Sequence, residues 1–207
     1  MIKAVLFDVD GVLIDTLEAN ARAYSHDFVL LGGKPITPKA YRKFYHLPAR
    51  KMFKHFFPEK PDEEIEKMLE ERIGRAPQFF RYMRLFPGVK ETLQKLHKDF
   101  RLGIVTSRRT IGVLDFFRIG GYFGAVITPD HVKNTKPHPE PILLALKRLK
   151  ARPEESVYVG DAASDLEAGK AAGVKVIIYR NPSVKGNFNI KDLGEIFGIV
   201  ERMNKRS

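Results

Sequence analysis

The 207-residue sequence contains no cysteine. Disulfide bonds, thiolate metal sites and a cysteine nucleophile are therefore excluded. The sequence also lacks an apolar run as long as a membrane span requires. It has no leader in which basic, apolar and small residues follow one another, so we expect a cytoplasmic protein without a membrane partner.

Acidic residues are in the minority, with 25 Asp and Glu against 36 Lys and Arg, for a formal charge of +11. A positive balance of this kind is one signature of nucleic-acid-binding proteins. Here the basic residues are scattered through predicted helices that also carry Glu and Asp, and the sequence contains neither a long basic block nor a recognisable nucleic-acid module. We interpret them as a solvated charged surface and expect no nucleic-acid partner.

Five apolar runs predict β-strands. The first, 4–7, is continuously apolar, which is typical of a strand buried on both faces of a parallel sheet. The others lie near 102–105, 125–127, 156–159 and 174–179, with helical periodicity between them. Strands that alternate with helices predict an α/β fold: a doubly wound (Rossmann-like) parallel sheet of five strands.

A long helical segment interrupts this alternation. From 16 to 83 we find no convincing strand, only helical periodicity broken by prolines. The stretch 61–64, Pro-Asp-Glu-Glu, is a strong helix start within it. We therefore predict an all-helical insert, 16–83, in a core formed by 1–15 and 84–207; a chain of this length can contain both.

Polar residues follow four of the predicted strands. In α/β sheets, ligands bind beyond the carboxyl ends of the strands. Each residue alone has an ordinary explanation, as an Asp-Gly turn, a helix cap or a surface lysine, but together at one sheet edge they indicate a functional site. The residues are Asp8, Asp10, Thr106, Ser107, Lys136, Asp161 and Asp165.

Electrostatics predicts a cation at this site. Two carboxylates about 4 Å apart repel by about 1 kcal/mol in water and about 4 kcal/mol at an effective dielectric constant near 20. Several such pairs would cancel much of a domain's free energy of unfolding, which is about 5–15 kcal/mol. The site therefore needs a cation in addition to Lys136. Oxygen ligands without neighbouring histidine or cysteine favour Mg²⁺. The six histidines have no ligand spacing, which argues against zinc.

The chain resembles the haloacid-dehalogenase-like (HAD) superfamily of phosphohydrolases over essentially its whole length. The resemblance is to the group that includes phosphoglycolate phosphatases and β-phosphoglucomutases, in which a small helical cap follows the first motif. Four motifs occur in the family's order, and the ordered set is highly specific. They are Asp8-Val9-Asp10-Gly11-Val12, Ile104-Val105-Thr106, Lys136-Pro137-His138-Pro139 and Gly160-Asp161-Ala162-Ala163-Ser164-Asp165.

The resemblance implies a role for each motif residue. Asp8 would attack phosphorus and form an aspartyl-phosphate, while Asp10 would protonate the leaving oxygen and later activate water. Thr106, Ser107 and Lys136 would bind the phosphoryl oxygens. The implied Mg²⁺ ligands are the Asp8 carboxylate, the Asp10 main-chain carbonyl and Asp161, with Asp165 supporting the ion directly or through a neighbour.

The resemblance also implies that the insert closes over the site and contacts the leaving group, with hinges near 14–16 and 84–87. Arg50 and His46, on a loop of the insert, are candidates for binding an anionic substrate, as is Arg108. For Arg50, an ordinary solvated helix start is an equal alternative.

The leading functional interpretation is a Mg²⁺-dependent phosphatase that acts on a small phosphorylated metabolite. A sugar phosphomutase on the same scaffold is the alternative, and a basic nucleic-acid-binding protein with a vestigial site is a distant one. Asp10 favours phosphoryl transfer, since the dehalogenases of the family lack an aspartate at that position. The sequence leaves open the substrate and the choice between monomer and dimer.

Overall fold

The computed structural model describes residues 1–45 and 47–205. It divides into two compact units, one comprising Met1–Ile14 and Leu85–Ser207 and the other Asp15–Arg84. Within the described residues, no helix has both the length and the apolar character needed to cross a membrane.

The larger unit is built on a parallel sheet. Over the described residues, the strands of the protein are β1 (Ala4–Phe7), β2 (Ile14–Asp15), β3 (Arg84–Leu85), β4 (Arg101–Val105), β5 (Phe123–Ile127), β6 (Ser156–Gly160), β7 (Lys175–Tyr179) and β8 (Phe188–Ile190). The main sheet has the order β5-β4-β1-β6-β7-β8, and every neighbouring pair is parallel. The chain builds one side of β1 and then the other, which confirms the doubly wound fold.

The described sheet has six strands rather than the five that the sequence predicts. The additional strand, β8, pairs with β7 at the edge of the sheet. It is only three residues long, Phe-Asn-Ile, and its central residue is polar and exposed. A run this short carries too little periodicity to indicate a strand. The two-residue strands β2 and β3, which form a separate sheet, escape prediction for the same reason.

Helices separate most of the strands. The α-helices of the described chain are α1 (Leu17–Leu30), α2 (Pro38–Tyr41), α3 (Ala49–Phe56), α4 (Asp62–Arg75), α5 (Val89–Leu96), α6 (Val113–Phe116), α7 (Glu140–Leu149), α8 (Ala163–Ala171) and α9 (Glu195–Lys205). Short 3-10 helices occupy Arg42–Phe44, Ala76–Tyr82, Gly120–Tyr122, Pro129–His131 and Pro153–Glu155. The last described helix, α9, begins at Glu195, after β8 has ended at Ile190.

The core of the larger unit explains why β1 is apolar throughout. All four residues of β1 are fully buried. Ala4 and Leu6 pack in a cluster that includes residues of α7 and α8, whereas Phe7 lies edge-on to Phe123 with ring centroids 6.4 Å apart. Burial on both faces fixes the strand, and the next residue, Asp8, still donates its N–H to the Val159 carbonyl at 2.9 Å.

The smaller unit packs its helices around aromatic rings. Tyr24 and Phe28 of α1 lie 5.2 Å from Tyr41 and 5.1 Å from Phe57, respectively, measured between ring centroids. Thr37 caps α2 by accepting the Ala40 N–H at 3.2 Å. Such aromatic pairs contribute about 0.5–1.5 kcal/mol each beyond their buried area.

One buried charge lies beside this aromatic cluster. The Asp27 side chain is 2% exposed and pairs with Arg72 and Arg75 of α4. The Arg72 guanidinium in turn lies 3.8 Å from the centre of the Tyr24 ring. Because the carboxylate has little access to water, its stability depends on these two arginines.

We expect Asp27→Ala to destabilise the smaller unit by about 3 kcal/mol, because the substitution leaves two cations beside an apolar cluster without their anion. Urea unfolding followed by circular dichroism measures the change. The control is Glu18→Ala on the same helix, which breaks an Arg22 pair whose side chains are 47% and 49% exposed. The control should cost less than about 1 kcal/mol; equal losses for the two variants would contradict the buried-pair interpretation.

Candidate active site

The chain leaves β1 through a tight turn that presents two aspartates. Asp8 is buried, and its Oδ1 accepts the Val9 N–H at 2.7 Å. The backbone then reverses at Gly11, which has a φ of +79° and donates its N–H to the Ile14 carbonyl at 2.9 Å. Asp10 lies within this turn, with a side chain that is 28% exposed.

Three aspartates from two distant parts of the sequence meet beyond the sheet. Asp8, Asp161 and Asp165 are all buried, and each offers a carboxylate oxygen within 4.8 Å of the others. Asp161 directly follows β6, the neighbour of β1, and Asp165 lies in the first turn of α8. The parallel pairing of β1 with β6 therefore brings the acidic residues of the first and fourth motifs together.

Lys136 is the cation of this cluster. Its Nζ lies 3.0 Å from Asp8 Oδ2 and 2.7 Å from Asp165 Oδ1, and its side chain is 3% exposed. Burial alone would lower the pKa of Lys136, but Asp165 and Asp8 together raise it above its usual range. The lysine is therefore held in its charged form between the two carboxylates.

Asp165 has a hydrogen-bond partner for every lone pair. Its Oδ2 accepts the backbone N–H groups of Asp161 at 3.1 Å and Ala162 at 3.0 Å. Its Oδ1 accepts Lys136 at 2.7 Å and the Tyr158 hydroxyl at 2.8 Å. Burial would raise the pKa of Asp165, but Lys136 and these hydrogen bonds hold it below its usual value. Asp165 is thus an anion that fixes Lys136 and the backbone after β6.

The surroundings of Asp8 and Asp161 disfavour the charged forms of both carboxyl groups. Burial, with smaller contributions from neighbouring carboxylates, raises the pKa of Asp8 to about 7, although Lys136 acts in the opposite direction. Burial and the charges of Asp8 and Asp165 raise the pKa of Asp161 to about 8. Lys136 pairs with two of the three carboxylates, Asp8 and Asp165, and the atoms that the three aspartates offer to a metal are all oxygens. This donor set fits a hard divalent cation.

The first motif lies in close contact with the fourth. A Cβ atom built on Gly11 would stand 2.0 Å from Asp161 Oδ2, so only glycine leaves room for this carboxylate. The loop after β7 also contacts this residue, because Asn181 Nδ2 donates to the Asp161 main-chain oxygen at 2.7 Å. Asp161 is therefore confined by the turn after β1 and by the loop after β7.

The second motif lies at the end of β4, the other neighbour of β1. Thr106 is buried, and its Oγ1 accepts the Arg108 N–H at 3.1 Å, while Ser107 is exposed. The Arg108 guanidinium contacts Asp10 twice, from Nε to Oδ2 at 3.1 Å and from Nη2 to Oδ1 at 2.9 Å. The structure thus links the second motif to the first through an arginine.

Tyr158 is a member of the site that sequence reasoning missed. Its hydroxyl donates to Asp165, accepts a hydrogen bond from Lys136 at 3.0 Å and lies 3.2 Å from the Val105 carbonyl. The available signal was a tyrosine flanked by valines in a strand that is buried throughout. Such a residue is usually interpreted as core, and only its hydroxyl partners reveal its connection with the acidic cluster.

The candidate substrate-binding residues of the insert lie in the smaller unit. Arg50 pairs with Asp62 at 2.6 Å and with Glu66 at 2.5 Å, and its side chain is 51% exposed. Its proposed contact with an anionic substrate stays a prediction. His46, the other candidate on this loop, lies outside the described residues.

Comparisons with known proteins identify the family. The pattern of haloacid dehalogenase-like hydrolases matches residues 5–179. The chain is 38% identical over 178 residues to pyrophosphatase PpaX of Anoxybacillus flavithermus, covering 84% of this chain and 81% of that protein. It is 30% identical over 194 residues to phosphoglycolate phosphatase of Aquifex aeolicus, covering 92% and 90%. This chain therefore belongs to the haloacid dehalogenase-like hydrolase family.

Solved structures agree with this assignment. A HAD-superfamily hydrolase of subfamily IA, variant 1, from Geobacter sulfurreducens is 30% identical, with a TM-score of 0.79 and 96% of both chains covered. The fold is also shared with β-phosphoglucomutase from Clostridium difficile, at a TM-score of 0.84 and 22% identity, covering 100% of this chain and 99% of that one. The resemblance inferred from the four motifs is confirmed, and the protein is an enzyme of the phosphatase class.

The raised pKa values predict that Mg²⁺ stabilises the protein more at high pH. The pKa values of Asp8 and Asp161, about 7 and about 8, exceed the ordinary 3.8, so the metal-free folded state binds more protons than the unfolded state between about pH 4 and pH 8. As pH rises through that window, Asp8 and Asp161 lose their protons, and their contribution to stability is lost. The charged groups around them are Asp10, Asp165 and Lys136. A cation binds the deprotonated carboxylates. Mg²⁺ should therefore raise Tm more at about pH 8 than at about pH 5.5.

Thermal unfolding with and without Mg²⁺ at both pH values measures this difference. Asp161→Asn should abolish most of the Mg²⁺ effect, whereas Asp99→Asn, a substitution of an exposed aspartate in the same unit, should preserve it. A Mg²⁺ shift that is the same at both pH values, or that survives in Asp161→Asn, would count against a cation bound by these carboxylates.

Gly11→Ala should abolish Mg²⁺ stabilisation, because the new methyl group displaces the Asp161 carboxylate. The matched control is Gly88→Ala, since Gly88 has a φ of +76° but, among the described residues other than its chain neighbours, none has an atom within 4 Å of the added Cβ. Both variants bear the cost of a left-handed backbone, about 1–2 kcal/mol, but only Gly11→Ala disturbs the site. Calorimetric titration with Mg²⁺ distinguishes them; normal Mg²⁺ binding by Gly11→Ala would refute the predicted conflict.

Proposed function

We propose that the protein is a cytoplasmic, Mg²⁺-dependent phosphatase that hydrolyses a small phosphorylated metabolite through an aspartyl-phosphate on Asp8. The observation that carries this proposal is the buried acidic cluster of Asp8, Asp161 and Asp165 with Lys136 in direct contact. Phosphoryl transfer requires a carboxylate nucleophile, a fixed cation beside it and a set of oxygen donors suited to a hard metal ion, and this cluster supplies all three.

The proposed Mg²⁺ ligands are the carboxylates of Asp8 and Asp161 and the main-chain carbonyl of Asp10. When bound, the ion would orient the phosphate and reduce repulsion between the phosphate and the nucleophile. Asp165 has four hydrogen bonds of its own, so we assign it an indirect role. It would hold Lys136 and the backbone that carries Asp161.

The proposed reaction has two steps. In the first, an Asp8 oxygen attacks phosphorus, the bond to the leaving oxygen breaks, and Asp10 supplies the proton to that oxygen. In the second, water attacks the aspartyl-phosphate, Asp10 removes its proton, and inorganic phosphate leaves with Asp8 regenerated. Lys136, 3.0 Å from Asp8 Oδ2, would bind a phosphoryl oxygen together with Thr106 and Ser107.

The names of the relatives narrow the substrate class that we propose. Pyrophosphatase PpaX and phosphoglycolate phosphatase are named for substrates whose leaving groups, phosphate and glycolate, carry negative charge. We propose that this enzyme also acts on a small phosphate compound with an anionic leaving group. Residues 16–83 are the proposed cap, and its Arg50 stays the candidate for binding that anion.

A sugar phosphomutase is the alternative on the same scaffold. It would return the phosphoryl group to the sugar instead of transferring it to water. Phosphate release and isomer formation, measured in parallel on β-glucose 1-phosphate, separate the two activities. We expect phosphate release to dominate; isomer formation without phosphate release would replace the proposal by the alternative.

Asp8→Asn should lower phosphate release by at least about 10³-fold, because an amide oxygen is a poor nucleophile. The assay is Mg²⁺-dependent phosphate release from pyrophosphate, phosphoglycolate and p-nitrophenyl phosphate, with Asp99→Asn as the control for an exposed carboxylate in the same unit. The control should retain full activity. Unchanged turnover in Asp8→Asn would exclude Asp8 as the nucleophile.

A further inference from the structure

The contact between Arg108 and Asp10 has the geometry of a two-point clamp. Nε and Nη2 of the guanidinium each donate to a different carboxylate oxygen, at 3.1 and 2.9 Å. The Arg108 side chain is only 9% exposed, and Asp10 is 28% exposed. A planar guanidinium that engages both oxygens fixes the plane of the carboxylate as well as its position.

The clamp is anchored to the sheet. Arg108 follows β4, the neighbour of β1, and its backbone N–H donates to the buried Thr106 hydroxyl at 3.1 Å. Asp10 follows β1 and lies in the turn closed by the hydrogen bond from Gly11 N–H to the Ile14 carbonyl. Each partner is thus attached to the end of one of two neighbouring strands, so their relative positions are set by the fold.

In the described part of the chain, the two cations of the site form ion pairs with different carboxylates. Lys136 contacts Asp8 and Asp165, whereas Arg108 contacts Asp10. A change at Arg108 therefore leaves the contacts of the proposed nucleophile in place. It acts on the carboxylate that, in the proposed reaction, exchanges the proton with the leaving oxygen.

We propose that Arg108 is the positioning residue of Asp10: its two-point contact aims the Asp10 carboxylate at the leaving oxygen. This inference rests on the proposed function, in which Asp10 supplies the proton to that oxygen. The role requires the shape of the guanidinium and not only its charge, because the ammonium group of a lysine cannot reproduce the two parallel hydrogen bonds.

The test uses the basicity of the leaving group. Proton transfer to the leaving oxygen matters most for an alkoxide and least for a stabilised phenolate, and general acid catalysis contributes about 10²–10⁴-fold where it operates. We therefore compare kcat/KM for glycerol 2-phosphate and for p-nitrophenyl phosphate, at saturating Mg²⁺, in the wild type, Arg108→Gln and Arg108→Lys. Arg109→Gln, a change at a neighbouring arginine that is 56% exposed, is the control.

Both Arg108 variants should lose at least about tenfold more kcat/KM on glycerol 2-phosphate than on p-nitrophenyl phosphate. For glycerol 2-phosphate the loss should appear in kcat and leave KM nearly unchanged. In an Asp10→Asn background, Arg108→Gln should cause little further loss, because residues that act through one another are not additive. Arg109→Gln should leave the ratio between the two substrates as in the wild type.

Equal losses on the two substrates would overturn the inference, and so would losses that add fully to those of Asp10→Asn. A normal substrate ratio in Arg108→Lys would show that charge alone suffices and would also overturn it. If Arg108→Gln does not fold, the comparison of the two substrates is made with Arg108→Lys alone. A wild-type enzyme that releases no phosphate from either compound would instead contradict the proposed function, so the two failures are distinguishable.

Discussion

A single lysine shared by two buried carboxylates holds the acidic cluster together. Lys136 lies 3.0 Å from Asp8 and 2.7 Å from Asp165, and it is the only cationic side chain of the described residues that is paired with either of them. When all three carboxylates are ionised, this one positive charge leaves the cluster net negative. Burial, with smaller contributions from repulsion between the carboxylates, raises the pKa values of Asp8 and Asp161. A bound cation would balance the excess negative charge, so the acidic cluster is costly to the metal-free fold and useful to the enzyme.

The sheet determines which residues can share this region. β1 lies between β4 and β6, so residues that follow these three strands meet at one edge although they are far apart in the sequence. Burial of β1 on both faces keeps the strand ends in register. The aspartates of the site therefore follow strands whose register is fixed, an arrangement that favours accurate positioning of reacting groups.

Much of this arrangement could be predicted from the sequence. The unbroken apolar run before Asp8 indicated a buried parallel strand, and the alternation of strands and helices indicated the doubly wound sheet. Four ordered motifs then indicated the family. β8 escaped because it has three residues with a polar one at its centre.

Contacts between side chains were beyond the reach of pattern analysis. Asp10, which accepts hydrogen bonds from Arg108, is 98 residues away in the sequence, and nothing in the local composition connects the two. Tyr158 occupies a core position in its strand, and its role depends on where its hydroxyl points. Such contacts depend on rotamers and on the register between strands, which sequence periodicity does not specify.

Mass spectrometry of the acid-quenched enzyme is the most direct test of the central claim, that the carboxylate at the end of β1 is phosphorylated during turnover. The enzyme is mixed with Mg²⁺ and excess p-nitrophenyl phosphate, quenched within the first turnovers, digested and mapped. We expect one phosphorylated peptide, carrying the modification on Asp8. Turnover without any phosphorylated peptide, or with the phosphoryl group on another residue, would contradict the account.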